Sequence, residues 1–381
     1  MNNDILNKVI VIGGDHYNTL WTVRSLGIKR IRPEVIILSG ASKSFVQKTK
    51  YASSSKVFQK KEQIVDYLLS TYSSMKAKPI IITCADVITA FLDQQYEQLS
   101  KFFYLPNISH KEGEIYRWMN KHMMCEQAKA SGFNVPEIFS ITIGEGDIQL
   151  PEDIVYPCII KPEASADGSK LDFKICNDEP SLLLSLRNMG KFNNKIVVQE
   201  YINPDFEISI LGVRLENSKE NVVGGVIYKV DTCSSIYNLG MSTYAKLKSA
   251  FSPYVDMDIV NNFFQEVNYS GPYSIEYFVK DGKPYFLEVN FRMDGNSFIY
   301  TTAGINIPYL WVCDILNIPI DMEQKKVMKN TYGMTEISYI KYLNLSKLKY
   351  VIRDLKRCDC FSVFDKKDIK PFIYKFIYAL I

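Results

Sequence analysis

Two short stretches carry the residue types most suited to chemistry. They are Ser274-Ile-Glu276-Tyr-Phe-Val and Phe286-Leu-Glu288-Val-Asn290-Phe-Arg292. Apolar and aromatic residues dominate both, so each reads as a β-strand with acids set into it. Glu288 and Asn290 are two apart and face the same side of their strand. Glu276, Glu288 and Asn290 offer only oxygen, which suits Mg²⁺ bound jointly with phosphates. Arg292 projects the same way as Asn290, and a guanidinium there can hold a transferring phosphoryl group or an acyl phosphate. The alternative is a set of exposed acids on a solvated sheet face.

Strand parity sharpens this reading. With a two-residue loop at Asp281-Gly282, a regular hairpin puts Glu276 and Glu288 on opposite faces. A three-residue loop, Lys280-Asp281-Gly282 with Gly282 left-handed, puts them on one face. The three-residue loop is therefore expected, with both acids serving one metal site. The polar turn Asp294-Gly295-Asn296-Ser297 follows and is placed to contact substrate.

Lys161 ends the apolar strand Cys158-Ile-Ile-Lys161, where a lysine needs an anionic partner. The next residues, 164–170, are small and polar, and such a loop can donate backbone amides to phosphates. Lys121 sits early on an expected helix. Glu200 ends another apolar strand, and Glu207 follows seven residues later. A strand that ends this way can meet a purine edge, and a second carboxylate can accept ribose hydroxyls. Two surface glutamates are the plainer alternative. Asn18, Tyr228, Lys229, Asn296 and Ser297 are candidate substrate contacts from location alone, and Lys229 reads equally well as a strand-edge lysine.

The elements that position these groups are legible in outline. Residues 8–12, 35–38 and 79–83 read as buried parallel strands, separated by helices over 19–26 and 62–74. That alternation implies a parallel sheet with crossover helices, ending near residue 110. Gly13-Gly14 follows the first strand, but the Gly-x-Gly-x-x-Gly dinucleotide pattern fails at its third glycine and the Walker sequence is absent. Those glycines either shape a tight turn or bring a helix N-terminus to a small acidic ligand. A helix is expected over 114–132. An α+β region follows, with strands over 156–161, 196–200, 207–213, 222–230, 273–279 and 285–291. The expected divisions are 1–110, 111–200, 201–325 and a tail over 326–381.

Composition narrows the field. The chain has 381 residues, 45 Lys plus Arg against 42 Asp plus Glu, and a net charge of +3. That balance argues against nucleic-acid binding. Eight scattered cysteines and three histidines show no zinc-ligand spacing and read as reduced thiols in a cytoplasmic protein. No signal-peptide pattern opens the sequence. No apolar run reaches the roughly 18 to 20 residues of a membrane span. The apolar stretch 371–381 reads as a packed helix, with peripheral membrane contact as the lesser alternative.

Taken in chain order, Lys121, Lys161 with its loop, Glu200, Glu207, Glu276, Glu288, Asn290 and Arg292 resemble the ATP-grasp superfamily of carboxylate–amine ligases. The resemblance covers about residues 1–320. It implies an α/β and α+β chain: a Rossmann-like N-terminal domain, then a two-subdomain ATP-grasp fold holding ATP between its halves. It implies that Lys121, Lys161, Ser165, Gly168 and Ser169 bind ATP phosphates. Glu200, with Tyr201 and Ile202, would meet adenine, and Glu207 the ribose. Glu276, Glu288 and Asn290 would carry Mg²⁺, or Mn²⁺ in its place. Arg292 and Lys161 would be catalytic. The 361–371 stretch looks like the end of ATP-grasp proteins similar to D-aspartate ligase and carbamoyl-phosphate-synthase-like proteins, which often serve cell-wall or polysaccharide pathways. The implied activity joins a small carboxylate to an amine acceptor, with a homodimer left open. A kinase-like or carbamoyl-phosphate-type enzyme and a non-catalytic ATP-binding module are the other readings.

Overall fold

Val9, Ile10, Val11 and Ile12 are all buried, which is what an uninterrupted β-branched run requires. They belong to β1 (Val9–Gly14), followed by α1 (Tyr17–Ile28), β2 (Glu34–Leu38), β3 (Ser54–Phe58), α2 (Lys61–Tyr72) and β4 (Ile80–Thr83). These strands form one parallel sheet in the order β3-β2-β1-β4. β3 lacks an apolar run because it is the edge strand, and the sequence reading passes over it. The computed structural model describes residues 7–144, 146, 148–163, 173–190, 194–230, 244–249, 251–337 and 348–379.

After α3 (Asp86–Asp93), α4 (Tyr96–Leu99) and β5 (Asn107–Ile108), the helix expected over 114–132 comes as two, α5 (Glu114–Trp118) and α6 (Lys121–Ser131). Asn120 divides them. Its backbone is extended, and its side chain accepts from the Met123 N–H as an N-cap. Lys121 thereby becomes the first residue of a helix instead of a mid-helix residue. Gly132, at φ +105°, ends α6 in the left-handed conformation.

A second sheet is built from β6 (Ile138–Thr142), β7 (Cys158–Pro162), β8 (Lys174–Cys176) and β9 (Lys195–Glu200), with α7 (Glu179–Met189). It is antiparallel, in the order β6-β9-β7-β8. The third and largest sheet runs through β10 (Phe206–Arg214), β11 (Asn221–Val223), β12 (Val226–Val230), β13 (Tyr244–Lys248), β14 (Tyr269–Lys280) and β15 (Lys283–Asn290). α8 (Met257–Val267) precedes β14, and α9 (Ser297–Ala303) and α10 (Ile307–Ile315) follow β15. The single strand expected over 222–230 breaks at Gly225, where φ is +155° and an added Cβ would lie 2.0 Å from the Lys248 carbonyl.

The residues from 326 onward are not an appended tail. They supply β16 (Thr331–Met334), α11 (Leu348–Arg357), β17 (Cys360–Phe361) and α12 (Lys370–Ala379). The large sheet runs β15-β14-β10-β12-β13-β16-β17. The Glu336 carboxylate accepts from three successive backbone amides, Ser362, Val363 and Phe364 (2.7, 2.8 and 2.8 Å). The segment then locks onto the first domain through a buried ion pair. Arg24 Nε lies 3.0 Å from Asp368 Oδ2, and both side chains are almost fully buried.

The large sheet has two different faces. Ile208, Ile210, Ile275, Val279 and Phe286 pack on one face with Phe263 and Phe264 of α8. The opposite face carries Leu211, Ile227 and Leu247 into a core shared with α1, α9 and α10, and it also holds the charged residues described next. The seven described cysteines are free thiols. Among the described residues, no helix is long and apolar enough to cross a membrane.

Candidate active site

The hairpin between β14 and β15 departs from the expected form. Lys280 pairs with Lys283, so the loop is Asp281-Gly282 alone, with φ of +49° and +74°. Positive φ at both positions gives the mirror-image turn that Asp-Gly favours. Asp205 pins the loop, accepting from Asp281 N at 2.8 Å and Lys280 Nζ at 3.0 Å. A loop of two residues should separate the acids, yet Glu276 pairs directly with Glu288. The register shifts between Glu276 and Tyr277: Tyr277 opposes Phe286, and Leu287 is the extra residue of a β-bulge. The core demands this change of phase. Phe286 is 1% exposed, with its ring 4.9 Å from that of Phe133, and a three-residue loop would turn it toward the charged face. The shared face of the two acids is therefore present, made by a bulge instead of by the loop.

Two carboxylates directly opposite each other repel and need cations. β12 provides one. Lys229 lies opposite Glu207 in the register, with Nζ 3.2 Å from Glu207 Oε2 and 3.4 Å from Glu276 Oε1. β12 runs between β10 and β13, so Lys229 is an interior residue and not a strand-edge lysine. Burial alone would lower its pKa; Glu276, Glu207 and Asp294 outweigh burial and raise it. Glu207 Oε1 is buried with no hydrogen-bond partner among the described residues and is an acceptor still open. Tyr228 points to the other face, opposite Ile208, and packs on Phe206 at 5.8 Å between ring centroids. It is not a substrate contact on this face.

Lys121 and Lys161 come together from different elements. The Lys121 N–H donates to the Glu163 carbonyl at 2.9 Å, tying the start of α6 to the end of β7. Burial, helped by the Lys161 charge, pushes the Lys121 ammonium down to about 8, against the opposing pull of Glu288. Ser165, Gly168 and Ser169 lie outside the described residues. Glu200 ends β9, and its Oε2 accepts from Glu137 N at 3.4 Å. The Tyr201 N–H donates to the Pro157 carbonyl at 3.0 Å, so that amide is already engaged. Ile202 is buried beside it.

The depressed Lys121 gives an expectation with a definite sign. Between about pH 8 and the ordinary lysine range, the folded chain holds fewer protons here than the unfolded chain. Stability from this group therefore rises with pH across that window. Phosphate binding has the opposite preference, because it favours the charged form. Calorimetric titration of ATP above about pH 8, in two buffers of different ionisation enthalpy, should show proton uptake and weakening affinity. Lys121→Arg should abolish the uptake.

Arg292 is held from two sides. Nε lies 2.9 Å from Asp86 Oδ1 and Nη2 lies 2.7 Å from Asp86 Oδ2, while Nη2 also donates to Asn290 Oδ1 at 3.0 Å. Asn290 Nδ2 in turn donates to Ser274 Oγ at 3.4 Å. Burial would lower the guanidinium pKa; Asp86 foremost, then Asp294 and Glu288, raise it. Asp86 is the functional residue that the sequence reading misses. Its available signal is its place just beyond the carboxyl end of β4, where parallel sheets put their ligands.

Asp294, Asn296 and the start of α1 lie beside the charged face. Asn296 Nδ2 donates to Asp294 Oδ2 at 3.0 Å and to Ser209 Oγ at 3.2 Å, so it reaches the charged face. Burial pushes the Asp294 carboxyl up. An added Cβ at Gly295 would lie 2.7 Å from Tyr17 Cε2 and 2.8 Å from Asn18 Oδ1, so glycine admits α1 here. That approach places Tyr17 and Asn18 next to the charged face. Ser297 is fully buried at the start of α9, with no partner for its Oγ among the described residues. Gly13-Gly14 forms the tight turn: Thr19 Oγ1 donates to the Gly14 carbonyl at 2.8 Å.

The donor set fits a phosphate-bound Mg²⁺. Among the described residues no three His, Cys, Asp or Glu side chains form a closed metal cage. Glu276, Glu288 and the Asn290 carbonyl make an open, all-oxygen set, and Mg²⁺ commonly takes one or two carboxylates and leaves the rest to phosphates and water.

Comparison with known proteins follows the same lines. Residues 126–308 match the model of the ATP-grasp domain. D-aspartate ligase of Enterococcus faecium is 22% identical over 288 residues, covering 70% of this chain and 64% of that protein. An ADP complex of N5-carboxyaminoimidazole ribonucleotide synthetase superposes with a TM-score of 0.66 at 16% identity, covering 93% of this chain and 87% of that one. The L-amino acid ligase of Bacillus licheniformis gives 0.64 at 16%, covering 86% and 79%. The chain spans less than two thirds of the length of the curated relatives it matches. Glu207, Lys229, Glu276, Glu288, Asn290 and Arg292 all fall inside the matched stretch: residues 126–308 of this chain are an ATP-grasp domain.

Proposed function

We propose that the protein is an ATP-dependent ligase that activates a carboxylate as an acyl phosphate and joins it to an amine. The observation that carries this is the placement of Arg292. It is fixed by Asp86 and Asn290 beside a facing pair of carboxylates, which suits it to a phosphoryl group in transfer. The ordered resemblance of the site residues and the two ligases among the similar proteins support the reading.

Lys121 and Lys161 would hold the phosphates, Glu207 the ribose, and the Glu200–Ile202 segment the adenine. Glu276, Glu288 and Asn290 would hold Mg²⁺, which when bound neutralises phosphate charge. A substrate carboxylate would attack the γ-phosphorus, releasing ADP and forming an acyl phosphate. An amine would then displace inorganic phosphate. The protein's part is positioning and charge neutralisation, so no nucleophilic side chain is required. Asn18, Asn296 and Tyr17 line the side of the cleft where the acid would enter. Free thiols are consistent with a cytoplasmic site of action, and a substrate from cell-wall or polysaccharide metabolism is part of the proposal.

The test is ADP release with a panel of amino acids, each with and without amine acceptors. The expected result is ADP formation that depends on one acid and yields one coupled amide. ATP binding without turnover on any acid would leave a binding module. Turnover without a coupled product would leave a kinase-like enzyme.

A further inference from the structure

The last described helix turns the wrong side to solvent. Ile369, just before the first residue of α12, and Ile373, Phe376 and Ile377 within it fall at i, i+4, i+7 and i+8 and make one stripe. They are 38%, 46%, 36% and 38% exposed. The charged Lys375 faces inward instead, with Nζ 4.2 Å above the Phe45 ring. Tyr374 and Tyr378 pack against the core of the first domain. An ordinary surface helix does the reverse, burying its apolar stripe and hydrating its lysine.

Charge surrounds the stripe. Lys366, Lys367 and Lys370 are exposed at its amino-terminal end. Residues 341–381 hold ten Lys plus Arg and four Asp plus Glu, a surplus of six, whereas the whole chain carries only +3. The remainder of the chain is therefore net acidic. α11 repeats the pattern: Leu348, Ile352 and Leu355 are 40%, 44% and 45% exposed, while Asp354 is buried. A chain of rings joins β17 to α12, from Phe361 to Phe364 (5.7 Å), Phe372 (5.3 Å) and Phe376 (5.0 Å).

We propose that this face docks on an anionic lipid bilayer. The apolar stripe would enter the boundary between headgroups and acyl chains, and the three lysines would meet the headgroup phosphates. This docking does not depend on the chemistry of the cleft.

Flotation of the full chain with phosphatidylglycerol-containing vesicles, against pure phosphatidylcholine, tests it. Binding is expected to be at least tenfold tighter on the anionic vesicles and to weaken as salt is raised. The triple variant K366Q/K367Q/K370Q should lose roughly a hundredfold in affinity for them. Ile373→Asn should lose at least tenfold on both vesicle types while keeping wild-type ATP affinity and unfolding midpoint. Phe376→Ser provides a second probe of the stripe. No binding at millimolar lipid, equal binding to both vesicle types, or intact binding by both stripe variants would overturn the proposal. So would a dimer that Ile373→Asn dissociates, which would assign the stripe to a second copy.

Discussion

Glu288→Gln is expected to lower acid-dependent ADP formation by roughly 10²–10³, with little loss of fold stability. The change is isosteric, and its thermodynamic effect has two signs. In the nucleotide complex it removes half of the facing carboxylate pair, so the phosphates lose a counter-ion site. In the free chain it removes a repulsion, because Glu276 and Glu288 stand directly across from each other, and also the attraction of Glu288 for Lys121 and Arg292. The two changes oppose each other, so thermal unfolding without nucleotide should be little changed, which separates a site defect from a folding defect. A second signature follows from Lys121. Glu288, ahead of Asp86, holds the Lys121 pKa up against burial. Without it the ammonium loses its proton at lower pH, and the alkaline limb of ATP binding should move in that direction. A variant with full turnover would remove Glu288 from the metal site.

The largest stability effect is expected far from that cleft. Asp368→Ala should cost about 3–5 kcal/mol in urea unfolding, the loss usual when one partner of a buried ion pair is removed. Asp368 accepts from Arg24 Nε at 3.0 Å, Thr49 Oγ1 at 2.7 Å and Lys50 N at 2.9 Å. Arg24 also donates to the Val363 and Asp368 carbonyls at 2.8 and 3.0 Å. Removing the acid leaves a buried guanidinium without its counter-charge. The double variant Arg24→Met/Asp368→Ala should lose less than the single, because no charge is then stranded. Equal losses would mean that the pair acts through packing alone.

Much of the site was readable before the fold, because strand parity and residue chemistry are local. Glu288, Asn290 and Arg292 needed only a period of two and an apolar context. The parallel sheet of the first domain followed from apolar runs divided by helices. What escaped depends on distance in the chain. Asp86 matters because it meets Arg292 across 206 residues, and nothing near it in sequence says so. β16 and β17 are short and carry no alternation of their own; pairing with β13 makes β16 a strand, and pairing with β16 makes β17 one. Lys229 read equally well as a substrate contact or a strand-edge lysine, because strand order cannot be seen in one strand. One missed signal was present throughout. Phe286 and Val289 both have to face the core, and their odd spacing calls for a change of phase between them.

That change of phase constrains how the hairpin can vary. Losing Leu287 alone would close the bulge and leave Phe286 and Glu288 each on its present face, because the two would then be neighbours in a regular strand. The bulge is therefore a place where the hairpin can lose a residue without turning the acid, while the two-residue turn keeps its own length.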